Sequence, residues 1–149
     1  MFVQGQVYRR RDLHDQYAGQ RQGGISTPAN HPMILLFTGE SGQQYGYSDD
    51  WTEAGVFLYT GEGQRGDMGF VRGNLAIRDH SANGKDIHLF SYVGTGHVRY
   101  VSQMVCIGSH DRQGSDLDGN MRRGIVFELV PLDEFTNQPA EDGATDAAA

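Results

Sequence analysis

The sequence predicts an α+β domain that is mostly β-structure, on three observations. Apolar or alternating runs of strand length recur along the chain, and glycine-rich or polar turns bound them. Two short stretches carry the signals of a helix. The 149 residues suffice for one domain, in which roughly two-thirds of the unfolded surface can be buried.

The first elements follow from local pattern. Residues 2–8 alternate loosely and predict a strand. Arg9–Tyr17 contains no glycine or proline and spaces Leu13 four residues from Tyr17, which predicts a short helix that ends at Gly19. The continuous apolar run Met33–Thr38 predicts a strand buried on both faces.

Further strands are predicted towards the end of the chain. Val56–Thr60 is the next strand, and residues 61–73 form a long loop with five glycines, a kind of loop that is often functional. Asp86–Val93 and His97–Val105 predict a hairpin, because the glycine-bearing segment 94–96 joins two alternating runs. The last strand is expected at 124–130, after the Asp-rich loop 115–120, which lacks the bidentate glutamate that a calcium loop needs.

A second short helix is predicted at Asn74–His80. Asn74 is suited to the N-cap position, and we expect Leu75 and Ile77 to pack on the sheet.

The charge is distributed unevenly. The net charge is −7, but five acids and no Lys or Arg lie in Pro131–Ala149, so residues 1–130 carry 12 basic and 14 acidic groups. We expect a folded domain over 1–132 and an acidic disordered tail or linker over 133–149. Eleven of the twelve basic residues are arginine, which suits phosphate and base-edge contacts; genomic composition bias explains the same preference equally well.

Several kinds of chemistry lack their signature. No apolar run is long enough to span a bilayer and the N-terminus has no signal-peptide pattern, so a cytoplasmic location without membrane contact is expected. The histidines are not spaced as metal ligands, Cys106 has no partner, and neither a nucleophile elbow nor a zinc deaminase signature occurs. We therefore expect no catalytic residue, metal or cofactor.

Two tyrosines with a carboxylate between them are the most informative side chains. Tyr47 and Tyr59 can stack on both faces of a flat ring, each contact being worth roughly 1–3 kcal/mol. Asp50 can accept a hydrogen bond from an exocyclic amine. The backbone N–H groups of Thr60 and Gly61 can donate to a ring carbonyl, since glycine allows close approach. On these residues alone, tyrosines at strand ends are more often core or rim residues.

Four segments share their order and spacing with a known family: Gln22–Ile25, Tyr47–Trp51, Phe57–Gly63 and Gly73–Ile77. Over about residues 20–80 the chain resembles the SRA (SET- and RING-associated) domain, which reads modified cytosine by flipping the base out of duplex DNA. The resemblance implies an SRA/PUA-like fold, with a curved, largely antiparallel sheet that forms a partial barrel and one or two short helices.

The resemblance also implies a base pocket. 5-Methylcytosine or 5-hydroxymethylcytosine would lie between Tyr47 and Tyr59. Asp50 would face the amino edge, Thr60–Gly61 would face the carbonyl edge, and Gly24 would line the pocket. Because burying one methyl group contributes about 0.8 kcal/mol, a factor of roughly four, we expect moderate selectivity for the modified base.

Two loops are implied as DNA contacts. Gln22, helped by Gln20 and Arg21, would enter the minor groove and fill the gap left by the base. Gln64 and Arg65 would contact the orphaned guanine from the major groove, since Arg is the commonest reader of guanine. A mobile surface loop explains residues 64–65 equally well.

A run of three arginines, Arg9, Arg10 and Arg11, adds candidate phosphate contacts. A charge run of this kind is also typical of a solvated face.

More widely, the chain resembles the DNA-reading part of bacterial McrA-type, HNH-containing, modification-dependent restriction endonucleases. The HNH segment is absent, so the expected molecule is a reader of duplex DNA with modified cytosine, which works with a covalently linked or separate HNH nuclease. Three alternatives remain: a reader of phosphorothioated DNA, a PUA-like nucleotide- or RNA-binding module, and an enzyme with Asp49 and Asp50 as an acid–base pair. Adjacent strand residues point to opposite faces, which disfavours the enzyme.

Overall fold

The computed structural model describes residues 2–39 and 49–133. Within them, two helices and one eight-stranded sheet are formed. The helices are α1 (Arg10–Tyr17) and α2 (Arg72–Arg78). The strands are β1 (Val7–Arg9), β2 (Ile25–Ser26), β3 (Met33–Thr38), β4 (Asp50–Trp51), β5 (Phe57–Thr60), β6 (Asp86–Gly94), β7 (His97–Ser115) and β8 (Met121–Pro131).

The sheet is open and mixed. Its order is β2-β3-β6-β7-β8-β5-β4, with β1 paired to β7 beside this path. The mostly-β prediction is confirmed, and the pairings in the described residues are antiparallel except that of β3 with β6. Residues 39–85 separate these two strands, a connection long enough for the crossover that a parallel pair requires.

Strand β3 is buried along its whole length, as its apolar run predicts. Ile34 and Leu36 belong to one core cluster, while Leu35 and Phe37 belong to a second cluster on the other face. Helix α2 contributes Ile77 to the first cluster and helix α1 contributes Leu13 to the second. The two helices therefore cover opposite faces of the sheet at β3.

Helix α2 differs from its prediction. It begins at Arg72, with Val71 at the N-cap position, so Asn74 is not the cap. Asn74 is buried inside the helix, where its side chain bonds to the loop before it. Ile77 is fully buried, whereas Leu75 is exposed, so one of the two expected core residues packs as predicted.

In the predicted hairpin of β6 and β7, strand β7 is longer than expected. Strand β7 continues to Ser115 because its polar, glycine-bearing second half still pairs with β8, with a register shift between Cys106 and Gly108. Strand β1, conversely, is shorter than the predicted 2–8.

Residues 134–149, where the acidic tail is expected, lie outside the described residues. Neither helix of the described part is long and apolar enough to cross a membrane.

Candidate nucleic-acid interface

An open cavity of about 920 Å³ lies where the sequence places the functional residues. The lining includes residues 21–25 before and in β2, the end of β5, the loop at 61–71 and the first residue of α2. Arg10 and Tyr92 complete one side. Of the expected pocket residues, Gly24, Tyr59, Thr60 and Gly61 line this cavity, and residues from both expected DNA-contacting loops do so as well.

The cavity lining contains more arginines than carboxylates. Five arginines and three carboxylates line it: Arg10, Arg21, Arg65, Arg72 and Arg122, against Asp49, Glu62 and Asp67. Two of these arginines, Arg21 and Arg65, pair with the carboxylates of Asp15 and Asp118, which do not line the cavity.

Tyr59 lies in the wall of the cavity, with 2% of its surface exposed. Its hydroxyl donates to the Gly24 carbonyl at 2.8 Å, and the Phe37 carbonyl lies at 3.1 Å. Burial first, and then the Asp49 and Glu62 carboxylates, raise the pKa of Tyr59 well above 10.0, so the phenol stays protonated. Gly24 leaves room for this hydroxyl, because an added Cβ would lie 2.5 Å from it.

The structure brings Asp49, rather than Asp50, to the cavity. Asp50 is exposed on β4 and accepts the Trp51 N–H at 2.8 Å. Asp49 lines the cavity, where its two oxygens accept the Thr60 N–H at 2.7 Å and the Thr38 hydroxyl at 2.6 Å. Neighbouring residues of an extended chain point to opposite sides, so one of the two aspartates faces outward.

The backbone donors expected at the carbonyl edge are already used. The Thr60 N–H binds Asp49, and the Gly61 N–H donates to the Ile125 carbonyl at 2.8 Å. A Cβ on Gly61 would lie 2.7 Å from the Asn74 amide oxygen, so this glycine makes room for Asn74. The buried Thr60 hydroxyl has no hydrogen-bond partner among the described residues.

Tyr47, the second expected stacking residue, lies in 40–48, outside the described residues.

The three polar residues of the loop before β2 were expected to act together, but the structure places them in different surroundings. The Gln20 side chain links the two ends of the loop: it accepts the Thr27 N–H at 2.6 Å and donates to the Thr27 hydroxyl at 3.0 Å. Arg21 is exposed and pairs with Asp15 at 2.9 Å. Gln22 is exposed at the cavity rim. Arg21 and Gln22 are thus the members of the trio that line the cavity.

The loop at 61–71 is docked on the turn between β7 and β8. The Arg65 guanidinium pairs with Asp118 at 2.8 Å, and the Leu117 N–H donates to the Gln64 carbonyl at 2.8 Å. Both Gln64 and Arg65 are exposed and line the cavity. The expected guanine-reading residues therefore sit on a fixed support.

Asp116 is the centre of that support, a role that the sequence pattern did not indicate. Its Oδ1 accepts the N–H groups of Asp118 and Asn120 at 2.9 Å, and its Oδ2 accepts the Gly66 N–H at 3.0 Å. These bonds, led by that of Gly66, lower the pKa of Asp116. Arg122 adds two bonds of 2.9 Å to loop carbonyls. In the sequence, the run of aspartates at 115–120 was the signal of this support. The loop at 61–71 that the turn contacts could not be deduced from local pattern.

The three consecutive arginines separate. Arg9 and Arg11 are exposed, whereas Arg10 is 7% exposed and lines the cavity. Its guanidinium carbon lies 3.8 Å from the centroid of the Phe37 ring.

Within residues 2–39 and 49–133, no group of three or more His, Cys, Asp or Glu side chains is placed to hold a metal ion.

Solved structures share this fold. The sulfur binding domain and SRA domain of ScoMcrA, complexed with phosphorothioated DNA, aligns with a TM-score of 0.70 and 23% identity over 88% of this chain and 40% of that one. The SUVH5 SRA complex with hemi-methylated CG DNA gives 0.64 and 19% over 88% of both chains. MspJI restriction endonuclease with a 27-mer oligonucleotide gives 0.59 and 15% over 76% and 33%. No curated protein sequence matches the chain.

The open mixed sheet and its cavity therefore define an SRA-type fold. A sequence model of the family described as "ScoMcrA-like, SRA domain" matches residues 4–147, and the chain belongs to this family. It spans 40% of the two-domain ScoMcrA structure and 24% of the ScoMcrA endonuclease.

Proposed function

We propose that this chain is a DNA-reading domain that binds 5-methylcytosine or 5-hydroxymethylcytosine flipped out of duplex DNA. The observation that carries the proposal is the arginine-lined cavity of about 920 Å³, with Tyr59 and Asp49 in its wall. Membership of an SRA family supports it, as does the similarity to an SRA domain solved with methylated DNA.

Each wall residue has a role in this proposal. The Tyr59 ring, which is 2% exposed in the free chain, is uncovered on binding and stacks on one face of the base. Tyr47 is proposed for the other face. Asp49 accepts a hydrogen bond from the exocyclic amine, since a carboxylate oxygen that holds one donor keeps a second acceptor site. The Thr60 hydroxyl, rather than the N–H groups of Thr60 and Gly61, donates to the ring carbonyl.

The rim residues offset the cost of flipping, which is a few kcal/mol. Gln22 and Arg21 fill the gap in the duplex, with Gln20 holding their loop closed. Gln64 and Arg65 read the orphaned guanine, and Arg9 and Arg11 contact phosphates. Binding is therefore salt-sensitive and moderately selective.

The domain serves a modification-dependent restriction system, in which an HNH nuclease acts as a linked or separate partner. The neighbouring endonucleases favour this context. A phosphorothioate reader is the second candidate because one neighbour is complexed with phosphorothioated DNA. That neighbour contains a sulfur binding domain beside its SRA domain, and the family match of this chain is to an SRA domain.

Equilibrium titrations test the proposal, with matched duplexes carrying cytosine, 5-methylcytosine, 5-hydroxymethylcytosine or one phosphorothioate. The wild-type chain is expected to prefer a modified cytosine, and Asp49→Ala to lose that preference. Asp50→Ala is the matched control and should keep it.

Each other result of these titrations would lead to a different assignment of the residue or the function. Loss of preference in Asp50→Ala alone would move the carboxylate role back to Asp50. Preference for the phosphorothioate, unaffected by either change, would identify a sulfur reader. Tighter binding of a free nucleotide or single-stranded RNA than of any duplex would identify a PUA-like module.

A further inference from the structure

Arg10 is a buried cation whose bonds to described residues are all with neutral acceptors. Its Nε donates to His14 Nε2 at 3.0 Å, one terminal nitrogen donates to the Tyr92 hydroxyl at 2.6 Å, and the other to the Gln20 carbonyl at 3.3 Å. None of the ion pairs within residues 2–39 and 49–133 includes Arg10. These bonds fix the guanidinium without neutralising it, and a buried charge is costly without a counter-ion.

The guanidinium is held in one orientation. The His14 ring donates from Nδ1 to the Ala18 carbonyl at 2.8 Å, which leaves Nε2 as the acceptor for Arg10. Burial is the largest cause of the lowered pKa of His14, and it favours this neutral form. The Phe37 ring face, 3.8 Å away, supports the cation from one side.

Donors remain for a ligand. A guanidinium has five N–H groups, and three of them bind the acceptors just named. The Tyr92 hydroxyl accepts from Arg10, so its own proton remains for a further acceptor. Both Arg10 and Tyr92 line the cavity.

We propose that Arg10 and Tyr92 form an oxyanion site in the cavity wall, filled by an oxyanion of the bound nucleotide. The proposal rests on the proposed function to the extent that a nucleotide enters this cavity. Two sources supply the same chemistry: a backbone phosphate that flanks the flipped nucleotide, or an acidic substituent on the base itself, such as a 5-carboxyl group. Arg is suited to either, because its planar fork matches oxyanions bidentately.

Two DNA probes separate the sources. The first duplex carries methylphosphonate linkages, which are neutral, on both sides of the modified cytosine. The second carries 5-carboxylcytosine at that position. Each is titrated with the wild-type chain, with Arg10→Gln, and with the control Arg99→Gln, whose side chain is exposed and does not line the cavity.

The phosphate source predicts that the neutral linkages weaken wild-type binding by roughly tenfold or more, as expected when a charged hydrogen bond is lost. Arg10→Gln then binds the neutral and the natural linkage about equally, and its plot of log K against log salt concentration is shallower by about 1. The base source predicts tighter wild-type binding of 5-carboxylcytosine, which Arg10→Gln abolishes. The control Arg99→Gln keeps the wild-type response in both experiments.

The site is overturned if Arg10→Gln weakens binding of all duplexes by the same factor, or if neither probe changes wild-type affinity. Tyr92→Phe removes one donor and keeps the ring, so it gives the same comparison if Arg10→Gln does not fold. Base recognition can fail separately: a wild-type chain with no preference for modified cytosine, but with the Arg10-dependent linkage effect, refutes the proposed function and keeps the oxyanion site. A chain that binds no duplex refutes both.

Discussion

The two sides of the cavity hold their arginines in opposite ways. On the inner side, defined as Arg10, Gly24 and Tyr59, the cation is buried and neutral groups orient it. On the outer side, defined as the loop at 61–71 with the turn at 115–120, Arg65 is exposed and already paired with Asp118. In the proposed function, the inner side is preorganised for its ligand, whereas the outer side must exchange an ion pair to bind DNA.

The inner side should respond most strongly to added volume. Gly24→Ala places a methyl group 2.5 Å from the Tyr59 hydroxyl, so we expect a loss of about 1–3 kcal/mol in the free energy of unfolding and a loss of DNA binding. Urea unfolding measures the first effect. Gly69→Ala, on the outer side, meets nothing within 4 Å and is the matched control.

A double variant sharpens this prediction. Tyr59→Phe removes the hydroxyl that the new methyl group would meet. The unfolding cost of Gly24→Ala should be smaller in this background, and an unchanged cost would show that the clash lies elsewhere, for example with the Phe37 carbonyl at 3.2 Å.

The outer side depends on Asp116. Asp116→Asn weakens its three hydrogen bonds to backbone N–H groups and should lower Tm and loosen the loop that carries Arg65. Its pKa is lowered in the folded state, so its stabilisation is present above pH 3.8 and is lost as the pH falls through the folded value. The Tm difference between wild type and Asp116→Asn should therefore shrink in acid, and a constant difference would contradict this electrostatic account.

The inner side should also be sensitive to pH, but at a higher value. The pKa of His14 is lowered, so below about pH 6.5 the unfolded chain binds a proton that the folded chain resists. Stability should therefore fall as the pH drops through 6.5. Arg10 and Arg21 near His14 strengthen the effect, while Asp15 and the Ala18 carbonyl oppose it.

His14→Gln tests that assignment by equilibrium unfolding at several pH values. The variant should show a shallower decline than wild type. Some decline should remain, because burial also lowers the pKa of His88. An identical pH dependence in both proteins would exclude His14 as a source.

Releasing the Arg65 side chain from its ion pair with Asp118 should give the smallest of these effects, a change in DNA affinity. Asp118→Asn removes an exposed ion pair, which is worth about 0.2–1 kcal/mol, so DNA affinity should rise by at most about fivefold. The effect should be visible at low salt and vanish at high salt. Asp15→Asn, which releases Arg21 from a similar exposed pair, provides the comparison for the loop before β2.

Secondary-structure elements could be predicted from the sequence more readily than contacts between distant parts of the chain. The run Met33–Thr38 identified β3 because a strand buried on both faces needs continuous apolar residues. Its parallel pairing with β6 depends on contacts across more than forty residues, which local pattern does not encode. Asn74 has the chemistry of a helix cap, but tertiary bonds to Glu62 use that side chain instead.

The same limit applied to the candidate site: local features could be predicted from the sequence, but contacts could not. Strand alternation implies that Asp49 and Asp50 face opposite sides, but the register of β4 on β5 decides which one meets the cavity. Likewise, a run of three arginines says nothing of which one is buried. The start of α1 and its packing on Phe37 place Arg10 inside.

In the proposed function, a modified cytosine leaves the duplex and enters this cavity. The most direct measurement is the fluorescence of 2-aminopurine placed next to 5-methylcytosine in a duplex titrated with the chain. We expect fluorescence to rise as the neighbouring base unstacks, and Asp49→Ala to reduce the rise. Tight binding of the methylated duplex with no change in fluorescence would contradict base flipping.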